Sequence, residues 1–168
     1  MKPKYHTMRT YLLSMALLLI LTFGCQPKNE KSISQQTAQE DFTLVENLVQ
    51  HVFDSIWSAK KANTISKYQT DDFLLLEHGA VWNNDTISNW CKRAAARDKG
   101  LKRTNTFDFF KQKKEGNRIW MAYNNYATFT KDDEVRGKGQ WLESIVAVKK
   151  DSIWQLELMH STRVPTSE

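Results

Sequence analysis

A glutamate and a histidine stand among apolar residues near the end of the chain, in the stretch WLESIVAVKKDSIWQLELMH. Two runs that alternate apolar and polar residues flank the turn-forming tetrapeptide KKDS, and this arrangement predicts a β-hairpin. If residues 149–152 form a tight loop, Glu143 pairs with Leu158 and Trp141 pairs with His160, so these side chains share one face. The other face of the last run is more polar. The shared face is therefore predicted to point inward.

The chemistry expected of Glu143 and His160 follows from their burial. A buried carboxylate without a partner is costly, so it normally finds a hydrogen-bond donor, takes up a proton or borders a wet cavity. His160 lies diagonally across the hairpin from Glu143, at a separation that long side chains bridge. We therefore expect a pocket in which both residues are candidates for catalysis or for orienting a ligand. The alternatives are a structural Glu–His hydrogen bond, or a glutamate at the sheet rim that reaches water.

Aromatic residues elsewhere in the chain could complete such a pocket. The stretch FLLLEHG ends in Glu77 and His78, and alternation along a strand sends one of these two side chains inward. Aromatic walls with a few polar groups suit a small apolar or aromatic ligand, although each aromatic residue alone could be ordinary core. The candidate ligand-binding residues are Trp57, Tyr68, His78, Trp82, Trp90, Tyr123, Trp141, Glu143 and His160. The sequence has no glycine-rich phosphate loop, HExxH or CxxC motif, so we expect no cofactor and no metal.

Three helical segments precede most of the strands. A stripe of apolar residues with helical spacing predicts a long first helix, which Asp41 would cap. That stripe consists of Val45, Leu48, Val49, Val52, Phe53, Ile56 and Trp57. A short second helix is predicted from Asn63 or Thr64 to about Tyr68, and a third from Asp85 or Thr86 to Gly100.

Strands account for the rest of the pattern. The stretch DFLLLEHGAVWNND predicts a strand with a short return strand, and four further strands are predicted at about 104–113, 118–130, 139–150 and 152–164. For the run at 118–130 the pattern leaves open whether the Met121/Tyr123 face or the Ala122/Asn124 face points inward. Helices followed by a largely antiparallel sheet indicate an α+β fold, with the three helices of the N-terminal half packed on one face of the sheet.

The N-terminus has the pattern of a bacterial lipoprotein signal. Basic residues precede the apolar run YLLSMALLLILTFG, which is short for a membrane span, and Cys25 follows immediately. We expect residues 1–24 to be a signal peptide, residues 25–37 to hold the lipidated Cys25 and a flexible tether, and residues 38–164 to fold. The alternatives are an ordinary secretory signal or an uncleaved anchor. The expected location is the bacterial cell envelope, with the lipid on Cys25 in a membrane and the choice of inner or outer membrane left open.

Cleavage would also change the charge balance. Removing Lys2, Lys4 and Arg9 lowers the Lys and Arg count from 24 to 21 against 19 acids, so the net charge falls from +5 to +2. Nucleic-acid binding is therefore not expected. With Cys25 acylated, Cys91 has no disulfide partner and is predicted to be a small buried thiol in the third helix.

The order of these elements resembles the nuclear transport factor 2-like superfamily, the curved cone fold shared with ketosteroid isomerases and polyketide cyclases. The likeness rests on YQTDDFLLLEHGAVWNNDTISNW and WLESIVAVKKDSIWQLELMHSTR, and it covers about residues 38–164. The second segment is similar to the ending of an uncharacterised branch rich in lipid-anchored bacterial proteins. The resemblance implies a cone-shaped, curved sheet with the helices on its concave face.

What this resemblance implies about chemistry is limited. The isomerases resembled use an acidic base with a tyrosine and an acid at the oxyanion; Tyr68 or Tyr123 and Glu143 could supply such groups, but no isomerase motif is matched in place. Limonene epoxide hydrolase-like members use an Asp–Arg–Asp set, and the predicted inner face includes no such arginine. The scaffold hosts enzymes, binders and oligomerisation modules alike.

Three function classes follow. The first is a tethered domain that binds a small apolar or aromatic molecule, whose polar end Glu143 and His160 would fix. The second is a proton-transfer enzyme, in which Glu143 acts as general base and His160 or a tyrosine steadies the oxyanion. The third is an interaction module whose outer sheet face builds a homodimer, with the inner polar pair structural.

Overall fold

The computed structural model describes residues 30–165, with side chains from residue 35 onward. Its helices are α1 (Glu30–Val52), α2 (Ile65–Tyr68) and α3 (Asn84–Arg97), and its strands are β1 (Gln69–Glu77), β2 (Ala80–Trp82), β3 (Lys102–Glu115), β4 (Arg118–Lys131), β5 (Glu134–Lys150) and β6 (Ile153–Arg163). The α+β prediction is confirmed. The predicted signal peptide and the lipidation site at Cys25 lie outside the described residues. Among residues 30–165, no helix is long and apolar enough to cross a membrane.

The six strands form one curved, mixed sheet in the order β2-β1-β6-β5-β4-β3. The pairs β3–β4, β4–β5, β5–β6 and β1–β2 are antiparallel, and β1 runs parallel to β6. The parallel contact arises because the first strand after the helices pairs with the last strand of the chain. The prediction of a largely antiparallel sheet is confirmed.

Helix α1 buries its predicted apolar stripe completely. All seven stripe residues from Val45 to Trp57 belong to the core. The last three lie in a π-helical turn, Phe53–Ser58, which continues α1 and keeps Phe53, Ile56 and Trp57 buried despite the wider pitch. Cys91 of α3 is fully buried in the same core, as predicted.

The start of α1 differs from the prediction. The helix begins at Glu30, so the part of the predicted flexible tether from residue 30 onward is helical. Its sequence EKSISQQTAQE has no apolar stripe to indicate a helix, but Gln, Glu, Lys and Ala are good helix formers without one.

Asp41 joins helix α1 to the sheet instead of capping the helix. Its buried carboxylate accepts hydrogen bonds from Lys114 Nζ (2.5 Å), Lys149 Nζ (2.9 Å) and Trp154 Nε1 (3.1 Å). Burial raises the pKa of Asp41, but these three donors outweigh it and hold the pKa at about 2. Side chains from β3, β5 and β6 thus converge on one helical carboxylate.

Two-residue turns with positive φ at both positions connect three strand pairs. They are His78–Gly79 (φ 47° and 82°), Asp132–Asp133 (53° and 60°) and Asp151–Ser152 (47° and 67°). The Asp132–Asp133 turn lets β5 begin at Glu134, although the sequence predicted a loop up to residue 138. The Asp151–Ser152 turn lies one residue later than the centre of the predicted loop.

The register of the last hairpin is therefore not the predicted one. Near the turn Ala147 pairs with Leu156, but Val146 pairs with Leu158, so Glu157 is an extra residue in a β-bulge. Beyond the bulge the buried positions of β6 are Met159 and Ser161. The prediction that His160 faces inward is wrong, because the bulge at Glu157 reverses the alternation and places His160 on the exposed face, whereas the displaced turn only changes the pairing partners.

Candidate functional site

A cavity of about 240 Å³ opens between the helical segments and the inner face of the sheet. Its lining is mostly apolar and includes four tryptophans, with one arginine and two glutamates among the polar groups. The lining residues are Phe53, Trp57, Leu75, Glu77, His78, Trp82, Trp90, Arg103, Trp141, Glu143, Met159 and Ser161. The ring centroids of Trp57 and Trp90 lie 5.0 Å apart, so the π-helical turn and α3 meet there.

Glu143 lies in the cavity wall with only 4% of its surface exposed. Its inward orientation was predicted and is confirmed. Ser161 Oγ donates to Glu143 Oε1 (3.0 Å), and Asn125 Nδ2 donates to Oε2 (3.2 Å). Asn125 is itself held by a 2.6 Å hydrogen bond from Asn105 Nδ2. A line of polar side chains thus crosses four neighbouring strands and fixes the carboxyl group.

Burial raises the pKa of Glu143 to about 7, although hydrogen bonds from Asn125 and Ser161 and the charge of Arg103 oppose the rise. Tyr123 lies directly opposite Glu143 on β4 and is fully buried. Desolvation and the neighbouring carboxylate raise the pKa of Tyr123 well above its ordinary value. Glu143 therefore changes its protonation state close to neutral pH, whereas Tyr123 keeps its proton.

Arg103 is a cavity residue that the sequence did not predict. It belongs to β3 and lines the cavity together with Glu77 and Glu143. Its guanidinium lies over the rings of Trp141 (5.0 Å), Phe53 (5.4 Å) and Phe129 (5.6 Å). The expectation that no arginine lies on the inner face is wrong, because the predicted strand began at residue 104 and excluded it. A threonine-rich stretch preceded by KR offers no signal that one of the two cations turns inward.

The structure brings six of the nine predicted ligand-binding residues to the cavity: Trp57, His78, Trp82, Trp90, Trp141 and Glu143. Tyr123 lies behind Glu143. Tyr68 lines a separate groove of about 780 Å³ beside α1 and the β5–β6 turn, and stacks on His51 there. His160 is exposed on the outer face. Ser161, not His160, lies beside Glu143 on β6.

Glu77 and His78 both reach the cavity, although alternation predicted only one. His78 has a φ of 47° in the β1–β2 turn, so the strand alternation ends at Glu77. Its Nε2 atom lies 3.1 Å from Glu77 Oε1. The side chain of His78 is about half exposed, which places this pair at the mouth of the cavity.

For the strand left open by the sequence, the structure selects the Met121/Tyr123 face as the inner one. The arrangement can enclose a flat apolar molecule between tryptophans, present a cation to an acceptor, and exchange a proton through Glu143. Among the described residues, no cluster of three or more His, Cys, Asp or Glu side chains could hold a metal ion.

No protein-family model and no curated protein sequence matches the chain. Several solved structures are similar to the chain. A ketosteroid isomerase-like protein from Erwinia carotovora atroseptica has a TM-score of 0.56 at 12% identity, over 76% of this chain and 98% of that one. An NTF2-like protein from Cytophaga hutchinsonii has a TM-score of 0.57 at 11% identity, over 73% and 97% of the two chains. Aln2 from a Streptomyces species has a TM-score of 0.64 at 12% identity, over 74% and 90%.

At such identities the likeness shows the fold. The chain has the nuclear transport factor 2-like cone fold, and the fold that the sequence resemblance implied is confirmed. The lipid-anchored branch stays a prediction.

Proposed function

We propose that this chain is a bacterial lipoprotein whose cone-fold domain binds a small apolar or aromatic molecule in the cavity beside Glu143. The observation that carries the proposal is the lining itself: four tryptophans, Trp57, Trp82, Trp90 and Trp141, surround a space that ends at a buried carboxyl group. Apolar walls with a few fixed polar groups are the usual composition of a small-molecule site.

The size of the cavity restricts the ligand. Its 240 Å³ is slightly below the range of about 300–1,000 Å³ that is usual for ligand sites. We therefore expect a molecule of one or two fused rings, bound edge-on between the indoles. The hydrogen bonds that hold Glu143 also orient it, so its free proton or lone pair meets the polar end of the ligand.

A matched pair of tryptophan variants tests the proposal. Trp82→Ala removes a cavity wall, whereas Trp120→Ala removes a partly exposed indole that does not line the cavity. Native mass spectrometry of the purified protein, followed by titration with any retained molecule or with 2-naphthamide, measures binding. Trp82→Ala should weaken binding by about tenfold or more, and Trp120→Ala by less than about twofold. Equal affinities for the two variants would remove the cavity from the proposal.

The lipid anchor is part of the same proposal and has its own test. Diacylation of Cys25 adds many methylenes, each contributing about 0.8 kcal/mol of membrane affinity. Cys25→Ser should release the protein to the soluble fraction and abolish the mass shift. A variant that stays membrane-bound at unchanged mass contradicts the anchor and leaves the cavity unaffected.

A second candidate function, proton transfer, is favoured by the pKa of about 7 at Glu143. A general base works best when its pKa lies near the working pH. In that case Glu143→Gln should abolish the solvent deuterium exchange that the protein accelerates in a bound aryl ketone such as 1-indanone. Affinity for the uncharged ketone should persist. Without accelerated exchange in the unaltered protein, binding alone is the function.

A further inference from the structure

Arg103 is a partly buried cation, and none of the residues that the structure describes accepts a hydrogen bond from its N–H groups. Its Nε atom is buried and makes no hydrogen bond. Burial lowers the pKa of Arg103 to about 10, against the opposing charges of Glu143 and Glu77, so the side chain is still charged at neutral pH. A buried charge is normally paired, because breaking such a pair is strongly destabilising. The unpaired guanidinium therefore needs a physical explanation.

The two nearby carboxylates are engaged elsewhere. Glu143 accepts from Asn125 and Ser161, and Glu77 Oε1 lies 3.1 Å from His78 Nε2. The aromatic rings around Arg103 hold the guanidinium by cation–π contacts but offer its N–H groups no lone pair.

A second unpaired donor belongs to the same cavity wall. Trp57 Nε1 is buried without a hydrogen-bond partner. Trp57 and Arg103 both line the cavity beside Glu143. They also line an adjoining hollow of about 190 Å³, which Lys60 borders. The side chains that carry these two buried donors, one of them cationic, both line the cavity beside Glu143. Buried polar groups are usually hydrogen-bonded, so unpaired donors of this kind need an explanation, and a bound acceptor is one.

We propose that the cavity selects aromatic carboxylates, whose ring packs between the tryptophans while the carboxylate accepts hydrogen bonds from Arg103. This inference rests on the proposed binding function and deepens it. A carboxylate matches the planar fork of a guanidinium and can accept two N–H bonds at once. The ligand would supply the direct hydrogen-bond acceptor that the described residues do not offer to Arg103.

Binding of an anion is coupled to the proton on Glu143. The charged groups that border Glu143 are Arg103 on β3 and Glu77 on β1, with Tyr123 on β4 and half-exposed His78 as the other titratable groups. A bound carboxylate neutralises Arg103 and adds a negative charge, so it raises the pKa of Glu143 above its value in the free protein. Above about pH 7 the complex therefore takes up a proton, and below about pH 6, where Glu143 is already protonated, it takes up little.

The test compares 2-naphthoate with its uncharged analogue 2-naphthamide by isothermal titration calorimetry on the folded protein. The unaltered protein should bind the naphthoate tighter by about tenfold or more. Arg103→Gln should remove this preference by weakening naphthoate binding about tenfold more than naphthamide binding. Arg103→Lys, which keeps the charge but loses the planar fork, should recover part of the preference.

Arg163→Gln is the matched control. Arg163 also lies over the ring of Trp141, at 5.6 Å, but it is exposed and does not line the cavity. This variant should bind both probes as the unaltered protein does. Retained naphthamide binding shows that Arg103→Gln still folds.

The possible results distinguish the carboxylate preference from the binding function on which it rests. Equal affinity of the unaltered protein for the two probes overturns the carboxylate preference and leaves the apolar binding function standing. Loss of preference in Arg163→Gln as well as in Arg103→Gln also overturns it. Failure of both probes to bind, with no molecule retained in native mass spectrometry, overturns the binding function itself. Repeating the titration in buffers of different ionisation enthalpy should show proton uptake at about pH 8 that Glu143→Gln abolishes.

Discussion

Asp41 and Glu143 are two buried carboxyl groups with opposite environments. Asp41 faces two lysines and an indole N–H, and its pKa is about 2. Glu143 faces hydroxyl and amide donors within an apolar cavity, and its pKa is about 7. The first stabilises the fold in its charged form, whereas the second is charged only at a cost. A carboxyl group whose pKa is raised by burial in a cavity is a candidate for a functional residue, whereas one paired with lysines is typical of a structural residue.

Asp41→Asn should lower the free energy of unfolding at neutral pH by about 2 kcal/mol, because Lys114 and Lys149 lose their counter-charge in a partly buried site. The folded-state pKa of Asp41 is depressed, so its contribution is present above its unfolded value of about 4 and is lost as the pH falls towards about 2. Urea unfolding at neutral and acidic pH measures both effects.

Asp54→Asn is the matched control, since Asp54 is exposed and follows the same helix. It should change the unfolding free energy by less than about 0.5 kcal/mol. Equal losses in the two variants would show that Asp41 does not join helix α1 to the sheet.

At the scale of elements, the turn between β5 and β6 sets the register of the strand that carries Ser161. Ser152 has a φ of 67°, a conformation that glycine adopts without strain and serine does not. Ser152→Gly should therefore raise the unfolding free energy by up to about 1 kcal/mol. The same change at Ser144, in the interior of β5, should lower it by about 0.5–1 kcal/mol. Thermal unfolding compares the two, and a loss of stability in both would contradict the assigned turn.

Much of the fold could be predicted from local patterns. The apolar stripe from Val45 to Trp57 has the helical period, and the alternation in β5 has the strand period. The buried face of each element was predicted correctly. The last strand was not, because one extra residue at Glu157 reverses the alternation, and no residue type marks it as a bulge. His160, one of the two predicted acid/base candidates, therefore lies on the outer face and not on the predicted inner face.

The site was predictable only where one element decides it. The inward orientation of Glu143 and Trp141 follows from the alternation of side chains within β5 alone. Arg103 required knowledge of where β3 begins and of what the π-helical turn brings over it, which is tertiary information. A cation that pairs with rings rather than acids leaves no charge pattern in the sequence.

At the scale of the whole molecule, the fold holds Glu143 at a cost in stability. Its folded-state pKa is raised from 4.5 to about 7, so native stability should fall as the pH rises through this window, by about 3 kcal/mol in all. Glu143→Gln should remove that loss and be the more stable protein at about pH 8.

The outer face of the sheet raises a further whole-molecule expectation. Leu74, Trp120 and Leu142 are exposed there, near His160. The homodimer expected from the sequence stays a prediction, which sedimentation of the purified domain over a range of concentrations would test. Dimer formation through this face would leave the opposite, cavity-bearing face free.

Glu143 is buried in the wall of the cavity, and burial raises its pKa to about 7. The most direct measurement is the ¹³C chemical shift of its carboxyl carbon as a function of pH, assigned by comparison with Glu143→Gln. The carboxyl carbon of Glu143 should show its transition at about pH 7. A transition at about 4.5, the ordinary value for an exposed glutamate, would contradict it.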